Sequence, residues 1–318
     1  MVQDEQGFET PKIAIAGVGG AGCNTINRMA KLGGVGGAEM IAINTDKKHL
    51  NVTTDKAKRI LIGAGLTKGL GAGGYPEVAA KAAEMSRGEL EAALAGVNLL
   101  FITAGMGGGT GTGAAPVIAE MAKKQGAIVV SMVTYPFNIE RARLQKAKAG
   151  LAALLKVSDT VVVIDNNRLV EFVPNLPIET AFMVADEIVS RAVKGITETI
   201  ALPSLMNIDF ADMKTIMGGG GISMIAVGEA GGYNKVEEVV KNTLENRLLD
   251  VDFAGSKGVL LHITGGSDLT LGDATEIGGL LTSKVAADAN VIWGARANPG
   301  YDGKVEVIAI FTGVKSPY

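Results

Sequence analysis

Most of the residues able to do chemistry in this chain are glycines. The run Gly105-Met106-Gly107-Gly108-Gly109-Thr110-Gly111-Thr112-Gly113 follows an apolar stretch, LLFITA, and leads into AAPVIAEMAKK. Six glycines in nine residues make a poor purely structural loop, because each loses extra backbone entropy on folding. What they provide is a concave row of backbone N–H groups at a helix N-terminus, joined by the hydroxyls of Thr110 and Thr112. Such a nest suits a di- or triphosphate. Pro116 is expected in the first turn of the helix, where a missing N–H costs little. A second run, Gly17-Val18-Gly19-Gly20-Ala21-Gly22, sits between KIAIA and a helix beginning near Cys23. It fits the G-x-G-x-x-G pattern, with Asp46 ending the next apolar run where a ribose-binding acid would stand. One such loop serves a dinucleotide enzyme, whereas two at the ends of adjacent parallel strands can enclose a longer phosphate chain. The Walker pattern G-x-x-x-x-G-K-[ST] is absent, which excludes a P-loop. Farther on, Asn207, Asp209 and Asp212 follow Pro203. Asp209 reads equally as the cap of a helix opening at Phe210 and as a group that handles water.

Loops of this kind need rigid elements behind them. KIAIAG, EMIAIN, KRILIG, NLLFITAG, AIVVSMVTYP and DTVVVID are apolar throughout, as strands buried on both faces must be. Between them, Ala114–Lys124 and Asn138–Leu155 carry helical spacing. The alternation predicts a doubly wound, parallel-sheet α/β domain. A long helix over about Pro177–Ala201 follows, opened by Pro and closed before Pro203. Beyond Gly218–Gly221, the runs ISMIAVGEA, GVLLHITGG, NVIWGARA and KVEVIAIFTG read as four strands. Helices are expected near Lys235–Leu248 and Leu271–Ala287, making a second, smaller α/β unit. The expected division is 1–176, a central helix 177–201, and 202–318.

Composition narrows the classes. The 318 residues are 47% apolar and 20% charged, a globular balance with room for more than one core. A net charge of −3 gives no basic footprint for nucleic acid. The single Cys23 excludes an internal disulfide framework and fits a reducing, cytoplasmic setting. With only His49 and His262, histidine metal sites and Ser-His-Asp catalysis are poorly supplied. No secretory leader and no apolar run of bilayer length is present.

The stretch 107–113, Gly-Gly-Gly-Thr-Gly-Thr-Gly, resembles the signature of the FtsZ cell-division GTPases in the tubulin superfamily. The likeness runs from IAGVGGAGCN to the last strand. It includes Asn44-Thr45-Asp46, Gly71-Ala72-Gly73-Gly74, TYPFNIE and NIDFADMKTIM at 207–217, and IDNNRL and ERARL look like archaeal members. The resemblance implies a GTP-binding domain joined by a central helix to a smaller α/β domain. It places Gly19, Gly20, Ala21, Gly22, Cys23 and Asn24 about the phosphates of GTP or GDP. Gly107, Gly108, Gly109, Thr110, Gly111, Thr112 and Gly113 face them, and Asp46, Ala72, Gly73, Gly74, Gly105 and Pro136 join the nucleotide-binding set. Glu140 and Arg143 would lie near the ribose, Asn166 and Asp186 would read the guanine, and Phe182 would stack on it. Mg²⁺ would be held mainly through the phosphates.

Without the resemblance, Asp186 reads as a solvated helix charge and Phe182 as core. Fifteen helical residues separate Asp186 from Ala201, an advance of about 22 Å, so Asn207, Asp209 and Asp212 cannot easily reach phosphates held in their own chain. The resemblance implies that they complete the site of the next subunit in a head-to-tail homopolymer at the division site. Membrane-tethering and regulatory division proteins are the other implied partners, with neither nucleic acid nor direct membrane insertion. Two other readings remain: a nucleotide-dependent structural polymer with little hydrolysis, and a dinucleotide oxidoreductase resting on the first glycine run alone.

The sequence departs from the family pattern at several points. Glu140 to Arg143 is one residue shorter than in bacterial members. Lys47-Lys48-His49 reads as a solvated helix start, and Tyr75 stands where a small or polar residue is usual. The chain ends at Tyr318 without the linker and terminal peptide of many relatives, which implies either a trimmed chain or a different way of recruiting partners.

Overall fold

Apolar runs with no polar face fold as strands covered on both sides, and five of the six in the first half do so; the sixth, at residues 58–61, is an edge strand that keeps Lys58 and Arg59 exposed. The computed structural model describes residues 2–3, 9–172, 174–201, 210–218, 221–245 and 253–315. After a short ribbon, β1 (Val2–Gln3) with β2 (Glu9–Thr10), the first half runs β3 (Ile13–Val18), α1 (Gly19–Lys31), β4 (Ala38–Asn44), α2 (Lys47–Asn51), β5 (Lys58–Leu61), α3 (Ala64–Thr67), α4 (Pro76–Met85) and α5 (Arg87–Leu94). It continues through β6 (Leu99–Gly105), α6 (Thr110–Lys124), β7 (Ile128–Tyr135), α7 (Arg141–Val157), β8 (Thr160–Asp165) and α8 (Asn166–Phe172). The second half comprises α9 (Ile178–Ala201), α10 (Phe210–Met217), β9 (Ile222–Gly231), α11 (Lys235–Glu245), β10 (Gly258–Gly265), α12 (Leu271–Thr282), β11 (Asn290–Ala297) and β12 (Lys304–Thr312).

The first-half strands lie in the order β5-β4-β3-β6-β7-β8, all parallel. The chain therefore reverses its winding direction between β3 and β6. At such a switch point the loops leaving the two strands diverge and open a crevice at the carboxyl ends. The second-half strands do not form a separate sheet. They continue the same ten-stranded sheet, with β9 joined to β8 through Val161–Ile222 and Val162–Ser223. There β12 runs antiparallel between β9 and β10.

Each face of the sheet carries one apolar layer that crosses both halves. One layer includes Ile118, Leu151, Val239 and Ile277, and the other includes Ile26, Val189, Ile216 and Ile310. The spacing of apolar residues predicted α6 and α7, the flanking prolines predicted α9, and Lys47-Lys48-His49 marked the start of α2, whereas α3 to α5 were not foreseen. The α7 helix starts at Arg141 rather than Asn138, because Asn138 to Glu140 form a turn in which the Glu140 carboxylate accepts from Phe137 N–H at 3.2 Å. The helix after the second glycine run begins at Thr110, so Pro116 lies inside α6 and not in its first turn. That corrects the sequence reading: residues 110–113, taken as loop, are wound into the helix.

The 24-residue α9, about 36 Å long, crosses one face of the sheet. Its Arg191 Nε donates to Glu306 at 2.8 Å and its Nη2 to Glu229 at 2.8 Å, while Arg296 bonds Glu198 at 2.9 Å. His262 of β10 is buried beneath this helix, facing Gly195, with Nε2 3.0 Å from the Thr264 hydroxyl. Burial first, and the Arg296 charge second, push its pKa down to about 4. Because the folded value lies below the unfolded one, the unfolded chain takes up the proton first as pH falls. The stability of the neutral imidazole is complete above about pH 6.5 and drains away towards pH 4, by about 3 kcal/mol in all. Denaturation midpoints recorded between pH 7 and 4.5 should therefore fall for wild type and fall less steeply for His262→Gln; parallel slopes would remove His262 as the cause.

Candidate functional site

The crevice between β3 and β6 is lined by the amino ends of α1 and α6. Neither helix has a side-chain cap, and neither carries an acid in its first turn. Helix starts of this length leave unpaired N–H donors and a partial positive charge. Two of them converging at one switch point make a strong anion site.

The glycines of the two loops divide into those that permit packing and those that open space. A methyl on Gly22 would collide with the carbonyl of Thr103 on β6, and one on Gly111 with the Gly105 carbonyl. These positions let α1 and α6 press against the strand ends. A methyl on Gly109 would stand 2.9 Å from Ala72 Cβ and 3.1 Å from Tyr75 N, so the 71–75 segment also lies on the glycine loop. Gly20 and Gly108 differ. A side chain on Gly108 would meet nothing within 4 Å, and one on Gly20 only His49 Cε1 at 3.8 Å. No internal contact requires glycine at either place; the space beside each is open.

The polar groups hold this frame in register. Thr45 and Thr110 hydroxyls meet at 2.7 Å, and the Thr45 carbonyl accepts from Gly71 N–H at 3.2 Å. The Thr112 hydroxyl is buried and accepts from Gly107 N–H at 2.9 Å, so it shapes the loop from within. Asp46 caps α2 by accepting from His49 N–H at 3.0 Å. Lys47 and Lys48 are exposed at that helix start, as the sequence suggested. The Cys23 thiol points into the core, its pKa pushed by burial up to about 11, so only its backbone can serve the crevice. Ala21 and Asn24 are exposed, and Pro136 is buried just after β7.

Along the rim, Glu140 and Arg143 pair with each other, Arg143 largely exposed. Asn166, at the start of α8, is buried, and its side-chain oxygen has no hydrogen-bond partner. Among the described residues Thr197 Oγ1, Ser223 Oγ and His262 Nδ1 are likewise unpaired, and the Asn166 oxygen can accept from water or from a ligand. Phe182 is half-buried, its ring 6.0 Å from Phe137 and lining a pocket of about 140 Å³. Asp186 sits deeper than a solvated helix charge. One carboxylate oxygen accepts from the Thr25 hydroxyl at 2.6 Å, and the other pairs with Arg28 Nε at 2.7 Å. Burial raises its pKa, with Thr25 and Arg28 opposing.

Of the three polar residues after Pro203, Asn207 and Asp209 lie outside the described residues; Asp212 is in the first turn of α10. Sequence reading missed the roles of Thr45, Thr25 and Arg28, because each acts through a partner 65 or more residues away that no local pattern reveals. Among the described residues, no cluster of three or more His, Cys, Asp or Glu could hold a metal, and no helix is long and apolar enough to cross a membrane.

Comparison with known proteins agrees with this geometry. Residues 12–174 match the Tubulin/FtsZ family GTPase domain, and residues 221–315 match the FtsZ family C-terminal domain. The cell division protein FtsZ 2 of Methanocaldococcus jannaschii is 60% identical over 98% of this chain and 82% of its own length. FtsZ 2 of Haloferax volcanii is 55% identical over 98% and 78%. Among solved structures, an empty FtsZ dimer from M. jannaschii superposes with a TM-score of 0.89 at 45% identity, covering 97% of this chain and 89% of that one. A GTPγS-bound CetZ2 protofilament from Haloferax volcanii gives 0.81 at 22% identity, covering 96% and 93%, a likeness of fold.

The two classes of glycine can be separated experimentally. Gly20→Ala and Gly108→Ala should melt within about 2 °C of wild type without nucleotide. Their GTP affinity, read by titration calorimetry, should fall at least about tenfold. Gly22→Ala should instead lower the nucleotide-free melting point. Wild-type affinity in both of the first two variants would exclude those glycines from the ligand cradle.

Proposed function

The chain belongs to the tubulin/FtsZ family as an FtsZ-type cell-division GTPase, and from that premise we propose that it hydrolyses GTP at a site completed between subunits of a head-to-tail filament. In this reading residues 1–176 bind the nucleotide, residues 177–201 form the connecting helix, and residues 202–318 activate the neighbour. The phosphates lie across the N–H groups at the starts of α1 and α6, in the space that Gly20 and Gly108 leave open. Glu140 and Arg143 lie beside the ribose. The orphan Asn166 oxygen accepts from the guanine edge beside Phe182. Guanine presents N1–H and N2–H donors along that edge, where adenine presents the N1 acceptor and a C2–H, so an acceptor aimed there favours guanine. Asp186 acts at the base through the Thr25–Arg28 pairing that fixes its direction.

The observation that carries the intersubunit part is the position of α10. Its last residue accepts, through the Met217 carbonyl, from the Thr160 hydroxyl at 3.1 Å, at the amino end of β8. The glycine loops lie at the carboxyl ends of the strands, about 20 Å away along a six-residue strand. From Met217 back to Asp212, α10 covers only about 8 Å. Asp212 therefore stops short of the phosphates of its own chain and lies towards the opposite end of the sheet. Leu70, Tyr75, Ile139 and Met183 frame the crevice with exposed apolar side chains, a surface suited to meeting another subunit.

Asn207, Asp209 and Asp212 of the neighbour would orient the attacking water and accept its proton. Mg²⁺ carried on the phosphate oxygens would supply neutralisation of the charge on the transferring group. Such filaments assemble at the division site, and membrane-tethering and regulatory division proteins bind them there.

GTP turnover per molecule, measured with Mg²⁺ across a range of protein concentrations, should be negligible when dilute and rise above a threshold. Asp209→Ala and Asp212→Ala should each retain GTP binding while losing turnover by about a hundredfold or more. Turnover per molecule that is constant on dilution would place a complete site in one chain and end the intersubunit reading.

A further inference from the structure

The segment 71–75 touches the glycine loop but has little to hold its own shape. Gly71, Gly73 and Gly74 all have left-handed backbone, with φ of 87°, 61° and 77°, and none offers a side chain. The ring of Tyr75 is 57% exposed and borders an open groove of about 690 Å³ between α4, α6 and α7 instead of packing into the core. Gly71 N–H is held by the Thr45 carbonyl at 3.2 Å, Ala72 is buried and its carbonyl accepts from Tyr75 N–H at 3.0 Å, which leaves Gly73 and Gly74 as the part that needs support from outside.

The α7 helix supplies that support. Arg143, Lys146 and Gly150 are spaced three and four apart and share one face of a helix. Arg143 backs Gly107, where an added methyl would stand 2.9 Å from Arg143 Cβ. Gly150 backs Thr112, whose methyl occupies the place where a Cβ on residue 150 would sit. Between them, Lys146 Nζ donates to the Gly74 carbonyl at 2.6 Å, and its ammonium stands 5.5 Å from the centre of the Tyr75 ring. One helix face thus frames the glycine loop and the 71–75 segment together, and Lys146 is the member that grips the segment by its backbone.

Resting on the phosphate assignment above, we propose that Lys146 is a positioning residue that holds residues 71–75 over the glycine loop, making the site tighter for GTP than for GDP. The inner phosphates lie on the starts of α1 and α6, so the outermost phosphate is the part of the ligand that extends to the rim where segment 71–75 closes on Gly109. Without the Lys146 bond, Gly73 and Gly74 relax into other backbone states, while Gly71 stays on the Thr45 carbonyl. The energy of ordering them is then charged to the binding of the terminal phosphate. GDP, which does not extend to the segment, is indifferent to its position.

The test compares wild type, Lys146→Met and Lys146→Arg below the assembly threshold, measuring GTP and GDP dissociation constants by competition with a fluorescent guanine nucleotide and recording nucleotide-free melting. Lys146→Met should weaken GTP at least tenfold and GDP less than twofold, with melting close to wild type. Lys146→Arg, which keeps a donor and a charge on a long stem, should recover most of the GTP affinity. Equal loss of both nucleotides with a lowered melting point would show a role in folding alone and overturn the proposal, as would unchanged affinity for both. Failure of the wild-type protein to bind either nucleotide would instead overturn the phosphate assignment on which the proposal rests.

Discussion

The structure depends on a close approach of backbone to backbone at the switch point between β3 and β6. Gly22 on α1 lies against the carbonyl of Thr103, and Gly111 on α6 lies against that of Gly105. A side chain at either position would prise a helix start away from the strand that aims it. Only because these contacts lack Cβ atoms can two uncapped helix ends point into one crevice. The hydroxyl pair of Thr45 and Thr110 and the inward bond of Thr112 then fix loops that have few side chains of their own. Glycine acts in two ways here: at Gly22 and Gly111 it permits packing, and at Gly20 and Gly108 it leaves a space that the protein itself never fills.

The same frame extends into the second half of the chain through α9. Near its start, Asp186 is tied to Thr25 and Arg28, two residues of the helix whose amino end faces the crevice. Farther along, Arg191 holds Glu229 and Glu306, and Glu198 holds Arg296, so the helix is bound to the outer strands by charge. These pairs are partly buried and pay a desolvation cost that their hydrogen bonds offset; their use is to fix one docking of helix on sheet. Gly195 lets α9 settle directly over Ile308 and His262. A rigid rod thus joins the side of the crevice to the far end of the sheet.

How much of this could be read in advance depends on whether the signal was local. Continuous apolar strands, helical spacing and glycine runs are local, and they foretold the parallel sheet, its winding and the crevice. The family followed from the stretch 107–113. What escaped were long-range pairings. Nothing near Asp186 announces that its carboxylate is occupied by α1, and nothing near Lys146 announces a carbonyl 72 residues earlier. The boundary between loop and helix at Thr110 was misplaced, because glycine weighs against helix in an isolated sequence while the packing of Gly111 and Gly113 on neighbouring backbone rewards it. The second α/β unit was legible as strands but not as a continuation of the first sheet, since among the described residues the β8–β9 register is as short as Val161–Ile222 and Val162–Ser223.

Sheet length also constrains what kind of assembly the proposed function can use. The glycine loops sit at one end of the strands, and α10 finishes at the other, at Thr160. Crevice and α10 end lie at opposite ends of the strands, so an end-to-end contact that joins one to the other uses two different surfaces. A translation along the strand direction sets the α10 end of one copy over the crevice of the next. Such a contact is heterologous and leaves one crevice and one α10 end unused at the two termini, so addition can continue indefinitely. On the proposed reading, an open filament is a symmetry in which every added copy completes a catalytic site, and hydrolysis and polymer growth share a single geometric cause.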